Sequence, residues 1–362
     1  MERAAMEDEG RDSKTAEATL TNPPGTWLTT KRSTLLALAD QIRDSVIPHI
    51  GGGQPITYAD IPVHLNVGDL LINLGAELLF ADHGIQVRNR ISLSNPRRLF
   101  EDPQAKDGAV VLHGGGNFSD LYPHHETFRR QVVEGFPDTL IILLPQTVHY
   151  LDRERLRHDI EPWARHRKLV FMARDAPSYA QVAPFLGERV VCVPDASHYL
   201  THRPDYLGPA RRAESGKILV MGRRDIERNA AHHRSHGDMF DWIDLCGPVD
   251  VGCYALAARL FHGDQIVPLP FDPALVWYRF RDRLIRKAVA FYGDAGAVAT
   301  DRLHGMLLAL MMGMPAYVRD NSYGKLSNYI ESWLSDTVER PPASWWKTGT
   351  QFDAASRQRQ PM

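Results

Sequence analysis

Gly296-Ala-Val-Ala-Thr300-Asp301-Arg302-Leu303-His304-Gly305-Met-Leu-Leu-Ala-Leu-Met-Met-Gly-Met-Pro315-Ala-Tyr-Val318 decides the fold class of this 362-residue chain. A short apolar run, Ala295 to Thr300, reads as a buried strand. A helix then starts near Leu303, and Pro315 to Val318 reads as a returning strand. Strand, helix and returning strand make one unit of a parallel α/β sheet. Asp301, Arg302 and His304 fall at the strand-to-helix corner, where open α/β sheets bind ligands and helix N-termini favour anions. An arginine there can hold a carboxylate or phosphate with its planar fork, and a histidine can move a proton near neutral pH. The same residues also fit a plain helix cap at Asp301 and an ion pair at Arg302.

The same grammar recurs upstream. Ser33 to about Ile47 has helical apolar spacing and is stopped by Gly51-Gly-Gly53. Pro62 to Asn66 reads as a strand before the corner Val67-Gly68-Asp69 and a helix over Leu70 to Phe80. Further strands are expected at Ala109–His113, Thr139–Leu144, Leu169–Met172 and Arg189–Val193. Beyond a Pro/Gly/Arg-rich break at 202–216, Lys217–Met221 leads into Gly222-Arg223-Arg224-Asp225, Trp242–Leu245 reads as a strand, and Lys325 to Leu334 as a closing helix. The expected architecture is α/β, with two Rossmann-like domains facing a cleft. In this reading residues 1–30 are expected to be a disordered leader, 31–205 an N-terminal domain, 210–335 a C-terminal domain and 340–362 a polar tail.

Composition narrows the function. The chain is 43% hydrophobic, enough for two cores, and its net charge of -2 from 42 basic and 44 acidic residues provides no field for nucleic acid. Cys192, Cys246 and Cys253 lack the spacing of a disulfide framework or a zinc site, so buried free thiols are expected. The leader has no apolar core, and Met306–Met314 is too short to cross a bilayer, so a soluble, cytoplasmic protein is expected.

His113-Gly-Gly-Gly-Asn117-Phe118-Ser119-Asp120 lacks the spacing of a dinucleotide fingerprint, and no GxSxG elbow accompanies it as an esterase would need. Its glycines, Gly115 and Gly116 among them, let a ligand approach the backbone, with Asn117 and Asp120 available to bond sugar hydroxyls; the same glycines also fit a tight turn that needs positive φ. No phosphate-cradling GxxxxGK[ST] loop occurs. His232, His233 and His236 have partial metal spacing, but arginines interleave them and no third ligand follows, so a charged loop is expected there. Arg174-Asp175 reads as an internal ion pair. Arg223-Arg224 follows a strand in the same half-chain as the 301–304 corner, so adjacent strand ends can converge on one anion; a solvated arginine pair is the other reading.

Gly68-Asp69, Gly114-Gly-Gly-Asn-Phe118, Leu144-Pro145-Gln146-Thr147, Arg174-Asp175 with Ser178, Pro194-Asp195, Gly222-Arg223-Arg224-Asp225 and Asp301-Arg302-Leu303-His304-Gly305 together resemble the polysaccharide pyruvyl transferase family over about residues 58 to 335. The resemblance implies a fold like that of GT-B glycosyltransferases, with phosphoenolpyruvate as donor and pyruvate placed on a sugar as a ketal. It further implies that Arg302, Leu303 and His304, with Arg223 or Arg224, hold the donor, and that Arg302 and His304 carry catalysis. The acceptor would face Gly68, Asp69, Gly115, Gly116, Asn117, Asp120 and Gln146. No metal or cofactor is called for. The implied acceptor is a glycan, lipid-linked and part of an exopolysaccharide repeat unit, which brings transient contact with a membrane surface. A nucleotide-sugar glycosyltransferase and a non-catalytic sugar- or phosphate-binding protein are the alternative readings.

Overall fold

Residues 26–208, 217–228 and 239–335 are described by the computed structural model. The expected polar tail at 340–362, the His232/His233/His236 cluster and residues 1–25 of the expected leader lie outside them. In chain order the elements are β1 (Thr26–Leu28), α1 (Arg32–Ile50), β2 (Ile56–Ala59), α2 (Val67–Asp82), β3 (Val87–Ile91), α3 (Arg97–Phe100), β4 (Ala109–Leu112), β5 (Gly115–Ser119), α4 (Pro123–Gly135), β6 (Leu140–His149), α5 (Arg153–Arg165), β7 (Leu169–Ala173), α6 (Ala176–Leu186) and β8 (Val190–Cys192). A 3-10 turn at Ala196–His202 and α7 (Pro204–Leu207) precede β9 (Ile218–Met221). The remaining described elements are α8 (Pro248–Ile266), α9 (Pro273–Gly293), β10 (Ala297–Thr300), α10 (Leu303–Met311), β11 (Ala316–Val318) and α11 (Lys325–Trp333).

Two sheets result. The larger is parallel, in the order β3-β2-β4-β6-β7-β8, with β5 pairing the far half of β6. Its β-branched and leucine-rich strands are buried on both faces. Val111 and Ile142 pack into one core, while the alternating Val110, Leu112, Ile141 and Leu143 pack into the other. The smaller sheet runs β1-β11-β10-β9, with β1 antiparallel and the rest parallel. Thus Thr26–Leu28, expected within the leader, is an edge strand of the sheet built by the C-terminal half.

Three further expectations are corrected. Pro62–Asn66 is a loop; the strand is Ile56–Ala59, ended by Asp60 at φ 63, the left-handed region that a non-glycine residue enters only with support. Asn66 caps α2 by accepting the Gly68 N–H, so the helix starts at Val67. Trp242–Leu245 is a 3-10 turn, because Asp241 and Asp244 form a reciprocal capping box around it. β6 also runs on through Pro145. The missing N–H falls at a register shift between Leu143 and Gln146, where the ladder is already interrupted.

The three cysteines are free and half-buried. No helix among the described residues is long and apolar enough to cross a membrane.

Candidate active site

β9 and β10 pair in parallel with Met221 opposite Thr300, so residues 222–223 and 301–302 leave the sheet side by side. Asp301 locks the two strand ends together, its Oδ1 accepting the Arg223 N–H at 2.8 Å. Buried there, its carboxyl is pushed up from the usual range. Thr300 Oγ1 accepts the Arg302 N–H at 3.0 Å and shapes the corner. Asp301 is therefore a fastener beneath the site, and it does not cap the helix.

Both arginines enter one cavity of about 340 Å³. The Arg302 guanidinium donates to Asp241 and, at 3.1 Å, to Asp225. Its Nε is buried with no hydrogen-bond partner. Arg223 donates through Nε and Nη2 to the two Asp225 oxygens at 2.9 and 3.0 Å, and pairs with Glu227 at 2.8 Å. Asp225 thus bridges the two guanidiniums. Arg224 turns outward to Asp244 and the Met239 carbonyl and does not line the cavity, so of the two candidate arginines the geometry brings Arg223 to the site.

His304 stands in the first turn of α10, with Leu303 beside it on the cavity wall. Its Nε2 lies 3.2 Å from Asp195 Oδ2. Asp195 is fully buried; burial alone would raise its pKa, but His304 and Arg174 outweigh that and hold the carboxyl well below its usual range. Arg174 pairs with Asp195 at 2.8 Å, not with its neighbour Asp175, which instead caps α6 through the Ser178 N–H. Arg174 also donates to Thr147 Oγ1, and Ser197 N–H and Tyr329 complete the cage around Asp195. The histidine therefore has a fixed anionic partner on one ring nitrogen, the arrangement that orients an imidazole for proton transfer.

The opposite wall comes from the first half of the chain: His64, Asn66, Asp69, Gly116, Asn117, Tyr122 and His125. Asp69 accepts from Asn66 Nδ2 at 2.8 Å and faces His64 at 3.6 Å. Burial disfavours its charge, yet His64, His304 and other nearby cations keep the carboxyl below its usual value. Asn117 is held from behind, because its Oδ1 accepts from Arg129 at 2.6 Å and from Gln146 Nε2 at 3.0 Å. Arg129 and His125 both bind Asp60, whose backbone strain is supported by these contacts. Gln146 is buried behind Asn117 and positions it, without lining the cavity.

Of the other expected acceptor residues, Gly116 reaches the cavity. Gly115 sits behind it at φ 128, and a Cβ there would lie 3.8 Å from Asp69 Oδ1. Gly68 lies under His304. Asp120 is displaced from the site, its Oδ2 accepting the Leu151 N–H.

Several cavity residues carried no signal in the sequence. His64 and Asn66 lie in the segment expected to be a strand, and Tyr122 and His125 lie just past the glycine run. Glu227 accepts from Tyr122 and Tyr323, pairs with Arg223 and Lys325, and is held down to about 2 against its own burial by these cations. Asp195, part of the Pro194-Asp195 motif, had no role assigned from sequence. Its position three residues beyond β8, at the carboxyl edge of a parallel sheet, was the available clue.

Residues 66–323 match the family model described as polysaccharide pyruvyl transferase. The Bacillus subtilis protein named pyruvyl transferase EpsO is 33% identical over 284 residues, 77% of this chain and 85% of the relative. Pyruvyl transferase 1 of Schizosaccharomyces pombe is 27% identical over 298 residues, 79% of this chain and 71% of the relative. A solved structure of an uncharacterized Klebsiella pneumoniae protein aligns at a TM-score of 0.48 and 16% identity, covering 84% of this chain and 94% of the other. The chain belongs to the polysaccharide pyruvyl transferase family.

Proposed function

We propose that this member of the family transfers the pyruvyl group of phosphoenolpyruvate to two hydroxyls of a glycan, forming a ketal and releasing phosphate. The observation that carries the reading is the His304–Asp195 pair set beside Arg302 and Arg223 in one cavity, with hydroxyl-binding side chains on the facing wall. Arg302 and Arg223 would clamp the carboxylate and phosphate of the donor, while the amide groups of the first turn of α10 add their partial positive charge. Leu303 would pack against the donor.

His304 would protonate the methylene carbon of the donor, so that C2 becomes electrophilic. One hydroxyl oxygen then bonds C2, the C2–O bond to phosphate breaks, and the second hydroxyl oxygen bonds C2. Of the two hydroxyl protons released, one balances the proton delivered to the methyl group and the other leaves on phosphate. Asp69 is the cavity carboxylate on the acceptor wall and is the candidate to receive a hydroxyl proton; Asn117, with Gly116 beside it, would position the sugar. The scheme calls for no metal or cofactor. A lipid-linked repeat unit as acceptor, and with it transient contact with the inner face of a membrane, belongs to the same proposal.

The test is phosphate release from phosphoenolpyruvate with and without a panel of glycosyl acceptors, for the wild type and His304→Ala. Acceptor-dependent release that disappears in a folded His304→Ala protein is expected. Turnover of a nucleotide sugar in its place would overturn the reading.

A further inference from the structure

Lys325 opens α11, the closing helix, and its ammonium is buried on the cavity wall between Gly116 of the first half and Glu227 of the second. Three observations separate it from an ordinary structural lysine. Its hydrogen-bond partner is Glu227 Oε2 at 3.2 Å, and the ring of Tyr323 lies 5.8 Å away. That oxygen also receives Arg223 Nη2 at 2.8 Å, Tyr323 OH at 2.9 Å and Asn321 Nδ2 at 3.4 Å. One carboxylate oxygen shared among four donors cannot serve all three N–H groups of an ammonium, so Lys325 keeps donor capacity to spare within the cavity, as Arg302 does at its unpartnered Nε.

The second observation is its exposure to the cavity through Gly116. A Cβ at residue 116 would lie 2.1 Å from Nζ and 2.8 Å from Cε, so the glycine is required for the ammonium to reach this place. The third is that Lys325 is held there by the backbone, its N–H donating to Asn321 Oδ1 at 2.9 Å. Burying an ammonium without full compensation is costly, and it is retained where an anion arrives to complete it.

We propose that Lys325 is the third cation of the donor site, an ammonium that bonds an oxyanion of a small donor carrying both carboxylate and phosphate. This rests on the donor reading above and deepens it. Arg223 and Arg302 are already engaged with Asp225, Glu227 and Asp241 and present fixed, partly neutralised forks. Lys325 contributes a point charge on the Gly116 side, so a donor with two separated anionic groups spans the cavity and touches both halves of the chain. A monoanion would reach one side only, which makes Lys325 a determinant of donor specificity.

The test is calorimetric binding of phosphoenolpyruvate, and separately of inorganic phosphate, to the wild type, Lys325→Met and Gly116→Ala, with melting curves for each and steady-state KM and kcat. Methionine keeps the length of the stem and removes the charge; alanine at 116 keeps the charge and displaces it. Phosphoenolpyruvate affinity should fall 10- to 100-fold in both, and appear as a raised KM for donor. Affinity within twofold of wild type in either folded variant overturns the proposal. Lysine-dependent binding of phosphoenolpyruvate with no phosphate release to any acceptor supports the cation site and removes the transfer reading, so the two fail separately.

Discussion

Gly68, in the first turn of α2, lies directly beneath the imidazole of His304: a Cβ there would be 2.9 Å from Nδ1 and 3.1 Å from the His304 Cβ. Two helix N-termini from different halves of the chain thus meet at the His304 ring, the proton donor of the proposed reaction. Gly68 is not among the positive-φ glycines, so its backbone accepts alanine without strain. Gly68→Ala should therefore leave the melting temperature within a few degrees of wild type, since a helical Gly→Ala gain of up to about 1 kcal/mol offsets part of the contact. The displaced ring should lower kcat at least roughly tenfold, because sub-ångström misplacement of a proton donor is expensive. Unchanged kcat with an unchanged melt would remove His304 from the reaction.

Asp195 connects that ring to Arg174, both residues being fully buried. Asp195→Asn keeps the shape but leaves a buried guanidinium without its counter-ion. A loss of about 3–5 kcal/mol is expected, read as a shift of the urea midpoint. Phosphate release should fall together with stability at low temperature, where the variant is still folded. Full activity there would show that His304 does not need an anionic partner.

The parallel strands, the 301–304 corner and the convergence of Arg223 with Arg302 were legible because each rests on local pattern. Apolar runs end at charged corners, and adjacent strands in register place their ends together. What was not legible depends on tertiary support. Asp60 occupies left-handed backbone because Arg129 and His125 hold its carboxylate, and this turns Pro62–Asn66 into the loop that delivers His64 and Asn66. The turn at Trp242 was concealed because its apolar residues read as a strand, while the deciding contacts are the Asp241–Asp244 side chains. Gln146 and Asp120 were expected at the acceptor. Their residue types fit it, but the register of β5 on β6 buries the amide behind Asn117, and Asp120 turns to the Leu151 N–H.

Acid should destabilise the fold early. His113 and His198 are buried and pushed down from 6.5 to about 4, by burial above all. A base whose pKa is depressed on folding takes its proton first in the unfolded chain, so the stability present above pH 6.5 is lost as the pH falls toward 4. Each histidine contributes about 1.4 kcal/mol per unit of separation between the two values. His113 Nδ1 lies 2.7 Å from Tyr58 OH, a place an asparagine Oδ1 can take, so His113→Asn should show a flatter fall of the unfolding midpoint between pH 6.5 and 4.5. An unaltered slope would mean that His113 does not titrate with unfolding.

Donor affinity should weaken in alkali for a related reason of opposite sign. Burial lowers the Lys325 pKa to about 8, against the raising influence of Glu227. An ammonium that binds an anion only when protonated holds the donor fully below that value. The KM for donor should rise about tenfold per pH unit above it until the bound state itself titrates. Lys325→Met should give a profile flat across pH 7.5–9.5. A profile identical to wild type in that variant would assign the titration to another group.

Arg223 and Arg224 are adjacent in sequence and divided by the cavity wall, which makes them an internal control for the proposed donor site. Arg223 bridges to Asp225 and Glu227 within the cavity, while Arg224 is half-exposed and bound to Asp244 and the Met239 carbonyl. Arg223→Ala removes a guanidinium from the place of the donor and leaves Glu227 with less compensation, so kcat/KM for donor should fall by a factor of roughly 100 or more, equivalent to about 3 kcal/mol of lost charge-assisted bonding. Arg224→Ala breaks only an exposed ion pair, worth about 0–1 kcal/mol to stability, and should change kcat/KM less than about twofold. Parallel steady-state kinetics of the two variants decides the matter. Equal losses would mean that the strand end after β9 acts as a diffuse basic patch, and a greater loss at Arg224 would turn the donor to the outer face of the corner.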